Sequence, residues 1–118
     1  MIETRVRNYL ISCNISGIEG NVFLMKPEPE RMPATGKYLL VEKLSSSPTD
    51  MLFTTRFAIQ SINTASDYVS AVINEDVINS MLNWNEDGIG VKLTNSIPYH
   101  NSQTKEYRYQ AIFEIYHY

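Results

Sequence analysis

The sequence predicts an α+β fold, a mainly antiparallel sheet with two helices, and three observations predict it. Two stretches repeat apolar residues at helical spacing. Several others alternate with a period of two or run apolar on both sides. The two kinds are not interleaved as a parallel βαβ fold would need, so the expected order is α-β-β-β-α-β-β. The 118 residues fit a single domain, 1–118. A chain of this length removes roughly 65% of its unfolded surface from water, enough for one core without metal or disulfide staples.

Ile2, Val6, Tyr9, Leu10 and Cys13 share one face of a helix expected over 2–13, with Glu3 and Arg7 four apart on the other side as an exposed ion pair. Gly17 and Gly20 end that pattern. Val22-Phe23-Leu24-Met25 reads as a short strand. Pro27, Pro29 and Pro33 make 26–36 a loop, because proline removes backbone donors and restricts its predecessor. Tyr38 to Leu44 is apolar on both faces at first, as an interior strand would be.

Ser45 to Asp50 reads as a turn. Phe53, Thr55, Phe57, Ile59 and Ser61 then alternate with Thr54, Arg56, Ala58, Gln60 and Ile62, giving a strand close enough to its predecessor to form a hairpin. Thr64 and Ser66 are equivalent candidates to cap a second helix. Its expected stripe is Val69, Val72, Ile73, Val77 and Met81, with Asn74, Glu75 and Asn79 away from it. Val91–Leu93 reads as a short strand and 97–101 as irregular.

The last strand runs from Glu106 to about Tyr118, with Tyr107, Tyr109, Ala111, Phe113 and Ile115 on one face. At about 3.3 Å per residue it outruns a round domain of this size, so it bends, ends early or projects. Its aromatic end either docks on a neighbouring subunit or curls onto the first helix. Tyr107, Tyr109, Tyr116 and Tyr118 are the candidate interface residues, since tyrosine offers a large apolar body with a polar tip.

The chemistry-bearing residues are sparse. The lone cysteine, Cys13, forms no intrachain disulfide and reads as a small buried hydrophobe. His100 and His117 lie in different elements, so no metal site is expected. No phosphate loop or nucleophile elbow occurs, and Gly88-Ile-Gly90 precedes no helix. Glu86-Asp87 and Glu28-Pro29-Glu30-Arg31 read as solvated loop charges. No catalytic residue and no cofactor is therefore expected.

The net charge of −3 and only ten scattered basic residues argue against nucleic-acid binding as the main task. Lys105-Glu106-Tyr107-Arg108-Tyr109 interleaves bases and aromatics, but Glu106 breaks its positive character. The opening residues lack the apolar core of a signal peptide, and no apolar window is long enough to span a membrane.

Tyr38-Leu-Leu-Val-Glu-Lys43, Phe57-Ala-Ile-Gln-Ser61, Lys105-Glu-Tyr-Arg-Tyr-Gln-Ala111 and Ile115-Tyr-His-Tyr118 together resemble small tail-component proteins of phages and prophages of Gram-positive bacteria, in the tail-terminator or head–tail joining class. The resemblance covers most of the chain and rests on strand signatures. It implies a non-enzymatic structural subunit of a ring, usually a hexamer, that caps the tail tube and faces the head connector. The implied partners are further copies of the chain, the major tail tube protein and a head-connector or stopper protein. The implied place is the tail or neck of the virion, after assembly in the host cytoplasm. A head-completion or stopper subunit and a small α+β ligand-binding module remain the alternatives.

Overall fold

The computed structural model describes residues 2–15, 17–49, 52–98 and 106–118. The order of elements is α1 (Ile2–Ser12), β1 (Val22–Phe23), a single 3-10 turn (Pro29–Arg31), β2 (Tyr38–Thr49), β3 (Leu52–Asn63), α2 (Asp67–Leu82), β4 (Ile89–Pro98) and β5 (Tyr107–His117). The five strands form one sheet in the order β1-β2-β3-β5-β4. Only the short β1–β2 pairing is parallel, and β2–β3, β3–β5 and β4–β5 are antiparallel. The α+β class, the two helices and the α-β-β-β-α-β-β order are as the sequence predicts.

Both helices pack on one face of the sheet. Cross-strand register puts Val41, Ile59 and Ala111 in one row and Phe57, Phe113 and Leu93 in the next. These rows meet Val6 and Leu10 of α1 and Ile73, Val77 and Met81 of α2 in the main core. Each fully buried phenylalanine or leucine there contributes about 1.5–3 kcal/mol by leaving water. A smaller apolar cluster of Tyr38, Leu40 and Ile62, flanked by Phe23 and Met32, fills part of the opposite face beneath the Pro-rich loop.

Several boundaries and contacts differ from expectation. β2 runs on through Ser45-Ser46-Ser47-Pro48 to Thr49 instead of turning, paired with Leu52–Arg56 after a bulge at Leu44. Pro48 is tolerated because, among the described residues, no strand lies on the other side of β2 there, so the missing N–H breaks no ladder. Likewise β4 extends past Leu93 to Pro98, its polar second half held by pairing with β5 after a bulge at Thr94. The rest of the expected irregular stretch, residues 99–101, lies outside the described residues, as do His100 and Lys105.

In α2 the buried stripe is Ser70, Ile73, Asn74, Val77 and Met81, whereas Val72 is 44% exposed. The stripe is rotated to include two polar residues, each of which donates a hydrogen bond, while the buried Asn74 Oδ1 has no partner among the described residues. Asn74 Nδ2 donates to Ser96 Oγ at 2.9 Å, and Ser70 Oγ donates to the Tyr107 carbonyl at 2.8 Å. Ser66, not Thr64, caps the helix by accepting from the Val69 amide. Glu3 and Arg7 do not pair with each other. Glu3 approaches Lys43 at 3.9 Å, and Arg7 Nε donates to the Val22 carbonyl at 2.9 Å.

The long final strand is accommodated by an elongated molecule, 44 × 25 × 24 Å, with β5 along it between β3 and β4. Its end stays within the sheet: His117 pairs with Phe53 on one side and Ile89 on the other.

Candidate assembly interface

The open edges of the sheet, the far half of the β2–β3 hairpin and the side of α2 bearing Tyr68, Val72 and Leu82 are surfaces available for a partner. From Lys43 to Pro48 every residue of β2 is exposed, and Leu52, Phe53 and Arg56 of β3 are exposed opposite them. Three of these are large apolar residues, Leu44 (47% exposed), Leu52 and Phe53. Phe53 stacks on His117 at 5.7 Å, and the Thr55 hydroxyl and His117 Nε2 share a 2.7 Å hydrogen bond that ties the hairpin to the end of β5. A groove of about 320 Å³ lies beside them, lined by Ile2, Arg5, Ser46, Phe53, His117 and Tyr118.

The four candidate tyrosines do not form one patch. Tyr107 and Tyr109 stand at the start of β5 on the helix-bearing face, in register with Asn63 and Ser61. Tyr116 is on the opposite face near the other end, roughly 30 Å along the strand. Its phenol donates to the Glu114 carboxylate at 3.0 Å, which pushes its pKa up. Tyr118 follows the strand and is 73% exposed. Its ring lies over Gly88, which has a φ of +80°. A side chain there would bring its Cβ within 3.0 Å of that ring, so both the backbone and the close approach call for glycine.

Sequence reasoning missed a polar cluster on the second face. Tyr38 Oη donates to Glu106 Oε2 at 2.8 Å, Arg108 Nη2 donates to Glu106 Oε1 at 2.9 Å, and Arg108 Nη1 donates to Gln60 Oε1 at 2.9 Å. Gln60 Nε2 in turn donates to Glu42 Oε1 at 3.1 Å, and Lys26 Nζ lies 3.7 Å from Glu106. Burial pushes the Tyr38 phenol up, and its bond to Glu106 adds to that. Burial also pushes the Glu106 carboxyl up. The hydrogen bonds from Arg108 and Tyr38 and the charges of Arg108 and Lys26 outweigh it and hold the carboxyl below its ordinary range. The alternation that puts Tyr38, Gln60 and Arg108 on one face was the available signal. The cluster pins the Pro-rich loop and the start of β5 to the sheet, and it is too enclosed to serve as a docking surface.

Trp84, just past the end of α2, stacks on Tyr9 at 4.4 Å and donates from Nε1 to Glu86, which also pairs with Arg5 at 2.9 Å. The Tyr9 hydroxyl donates to the Ser80 carbonyl, and burial, followed by its bond to Cys13, pushes its pKa up to about 12. Cys13 is half-buried at the rim of the core. Among the described residues no group of three or more His, Cys, Asp or Glu side chains is placed to hold a metal ion, and no helix is long and apolar enough to cross a membrane.

No protein-family model matches the chain, and no curated protein matches it. Solved structures do match. One is a chain in the virion of a native gene transfer agent particle. It superposes with a TM-score of 0.71 over 95% of this chain and 90% of its own length, at 12% identity. At that identity the likeness is one of fold.

Proposed function

We propose that this chain is a structural protein of a tailed phage or phage-like particle, a single-domain subunit of the tail-terminator kind. It forms a ring, a hexamer by resemblance, that ends the tail tube and joins it to the head connector. The observation that carries the reading is the near full-length fold match to a chain of a gene transfer agent virion. The surfaces fit the task. A ring needs a rigid subunit with two different sticky sides, and this sheet has one open edge at β2 and another at β4. Its partners are other copies of itself, the major tail tube protein and a head-connector or stopper protein, within the tail or neck. Tyr107, Tyr109, Tyr116 and Tyr118 stay in the reading as contact residues, divided between different contacts.

The same reading makes the protein non-enzymatic and without a cofactor or sequence-specific nucleic-acid binding. The ligand-binding alternative is less well supported. The grooves of about 190 Å³ beside Tyr68 and Val72, about 320 Å³ beside Phe53 and about 400 Å³ beside Ile11 and Glu19 are open to solvent, whereas usual small-molecule sites enclose most of their ligand. A stopper subunit would share the same fold evidence and differ in which neighbour it binds.

Light scattering across a concentration series, with electron microscopy of any large species, tests the reading. The expected result is a ring of about six times the 13.6 kDa chain mass, either alone or on added tail tubes. A strict monomer that also fails to decorate tail tubes would overturn it.

A further inference from the structure

We infer that neighbouring copies join by strand addition, the open edge of β2 in one copy pairing antiparallel with the open edge of β4 in the next, so that one sheet continues across each joint. This inference rests on the ring reading above and names its contact.

The backbone is the first reason. β1 covers β2 only at Leu39 and Leu40, so the rest of β2, through Thr49, has no strand beside it among the described residues. β4 ends the sheet on the other side and, among those residues, pairs only with β5. Short of Pro48 and Pro98, which lack an N–H and limit the pairing to about Val41–Ser47 and Ile89–Ile97, both edges therefore present rows of backbone donors and acceptors of comparable length, and such rows are templates for another strand.

Polarity is the second reason. β2 is antiparallel to β3, β3 to β5 and β5 to β4. Two copies set side by side with the same face outward therefore bring β4 against β2 in antiparallel orientation, the geometry the rest of the sheet already uses. The third reason is side-chain chemistry. Glu42 on β2 and Lys92 on β4 lie on the same face of the sheet, since Glu42 is in register with Ala58 and Lys92 with Glu114. With the rows of the sheet continued straight across the joint, Lys92 is level with Ser45 and Glu42 with Asn95, so one basic and one acidic residue share that face of the contact. Each edge also carries one exposed apolar residue, Leu44 and Ile97, that a neighbour would cover. The bulges at Leu44 and Thr94 keep either edge from accepting an arbitrary flat strand, which makes the pairing selective.

Cysteine pairs read this directly. In a Cys13→Ala background, Ser45→Cys or Ser47→Cys on β2 is combined with Lys92→Cys or Asn95→Cys on β4. All four positions are exposed and on the second face. Mild oxidation at assembling concentration should give a disulfide ladder from dimer upward for at least one double variant and none for the single variants, with thermal unfolding unchanged. Dimers from a β2 single variant would overturn the inference in favour of β2 self-pairing. Assembly by mass without any cross-link would overturn the pairing and leave the ring. Monomer at every concentration, with no decoration of tail tubes, would overturn both.

Discussion

The two halves of the β2–β3 hairpin are continuous in register and opposite in environment. At its base, Tyr38–Val41 and Phe57–Asn63 are buried on both faces, the helices covering one and the Pro-rich loop and the Glu106–Arg108 cluster covering the other. At its tip, Lys43–Pro48 and Leu52–Phe53 meet water on both faces. One ladder thus serves two ends. The base holds the buried core, and the tip holds strand and apolar side chains that remain partly open. Leu44, Leu52 and Phe53 each keep a third to a half of their surface in the open there. On the ring reading, folding belongs to the base and assembly to the tip.

Substitutions can break that division, beginning at the base. Phe57→Ala or Phe113→Ala removes a fully buried ring from the centre of the core and should cost about 3–5 kcal/mol, read as a fall in the urea midpoint. Arg108→Met leaves the buried Glu106 carboxylate without its main partner and should cost about 3 kcal/mol. Unchanged stability in either case would remove the base from the core.

The same cluster predicts a pH dependence. The Glu106 carboxyl is held below its ordinary value of 4.5 in the fold, so its contribution is fully present above that value. It is lost as the pH falls through the lower folded value, because the unfolded chain binds the proton first. Urea midpoints measured from pH 6 to pH 3 should fall more steeply for the native sequence than for Glu106→Gln. Parallel curves would show that the cluster does not contribute in this way.

The tip should behave differently. Leu44→Ser with Leu52→Ser should change stability by less than about 1 kcal/mol, while the concentration needed for assembly rises. Tyr118→Ala should have the smallest effect on folding, because Tyr118 follows the last strand and is mostly exposed. A loss of assembly without loss of stability would assign Tyr118 to a contact.

Much of this architecture was legible in the sequence, and its gaps have physical causes. The alternation from Phe53 to Ile62 and from Tyr107 to Ile115 placed both faces of β3 and β5, because side-chain periodicity survives wherever one face is buried. The tip of β2 was not legible: Ser45-Ser-Ser-Pro48 has turn composition, and only pairing with β3 makes it strand. The second half of β4 was hidden in the same way behind Asn95 and Ser96. Asn74 read as a surface residue because its partner, Ser96, lies 22 positions away. The candidate tyrosines were legible as a composition. Their division between two faces and two ends of β5 depended on where that strand sits in the sheet. The two open edges needed strand order, which no local pattern encodes.

Hydrogen exchange on dilute and concentrated protein tests the central claim most directly. The outward-facing amides within 41–47 and 89–97, those not already bonded to β3 or β5, should become protected as the protein assembles, while those of 57–63, already protected by the core, should not change. Protection arising instead at Tyr68, Val72 and Leu82 on the exposed side of α2 would contradict the account and move the contact to the helices.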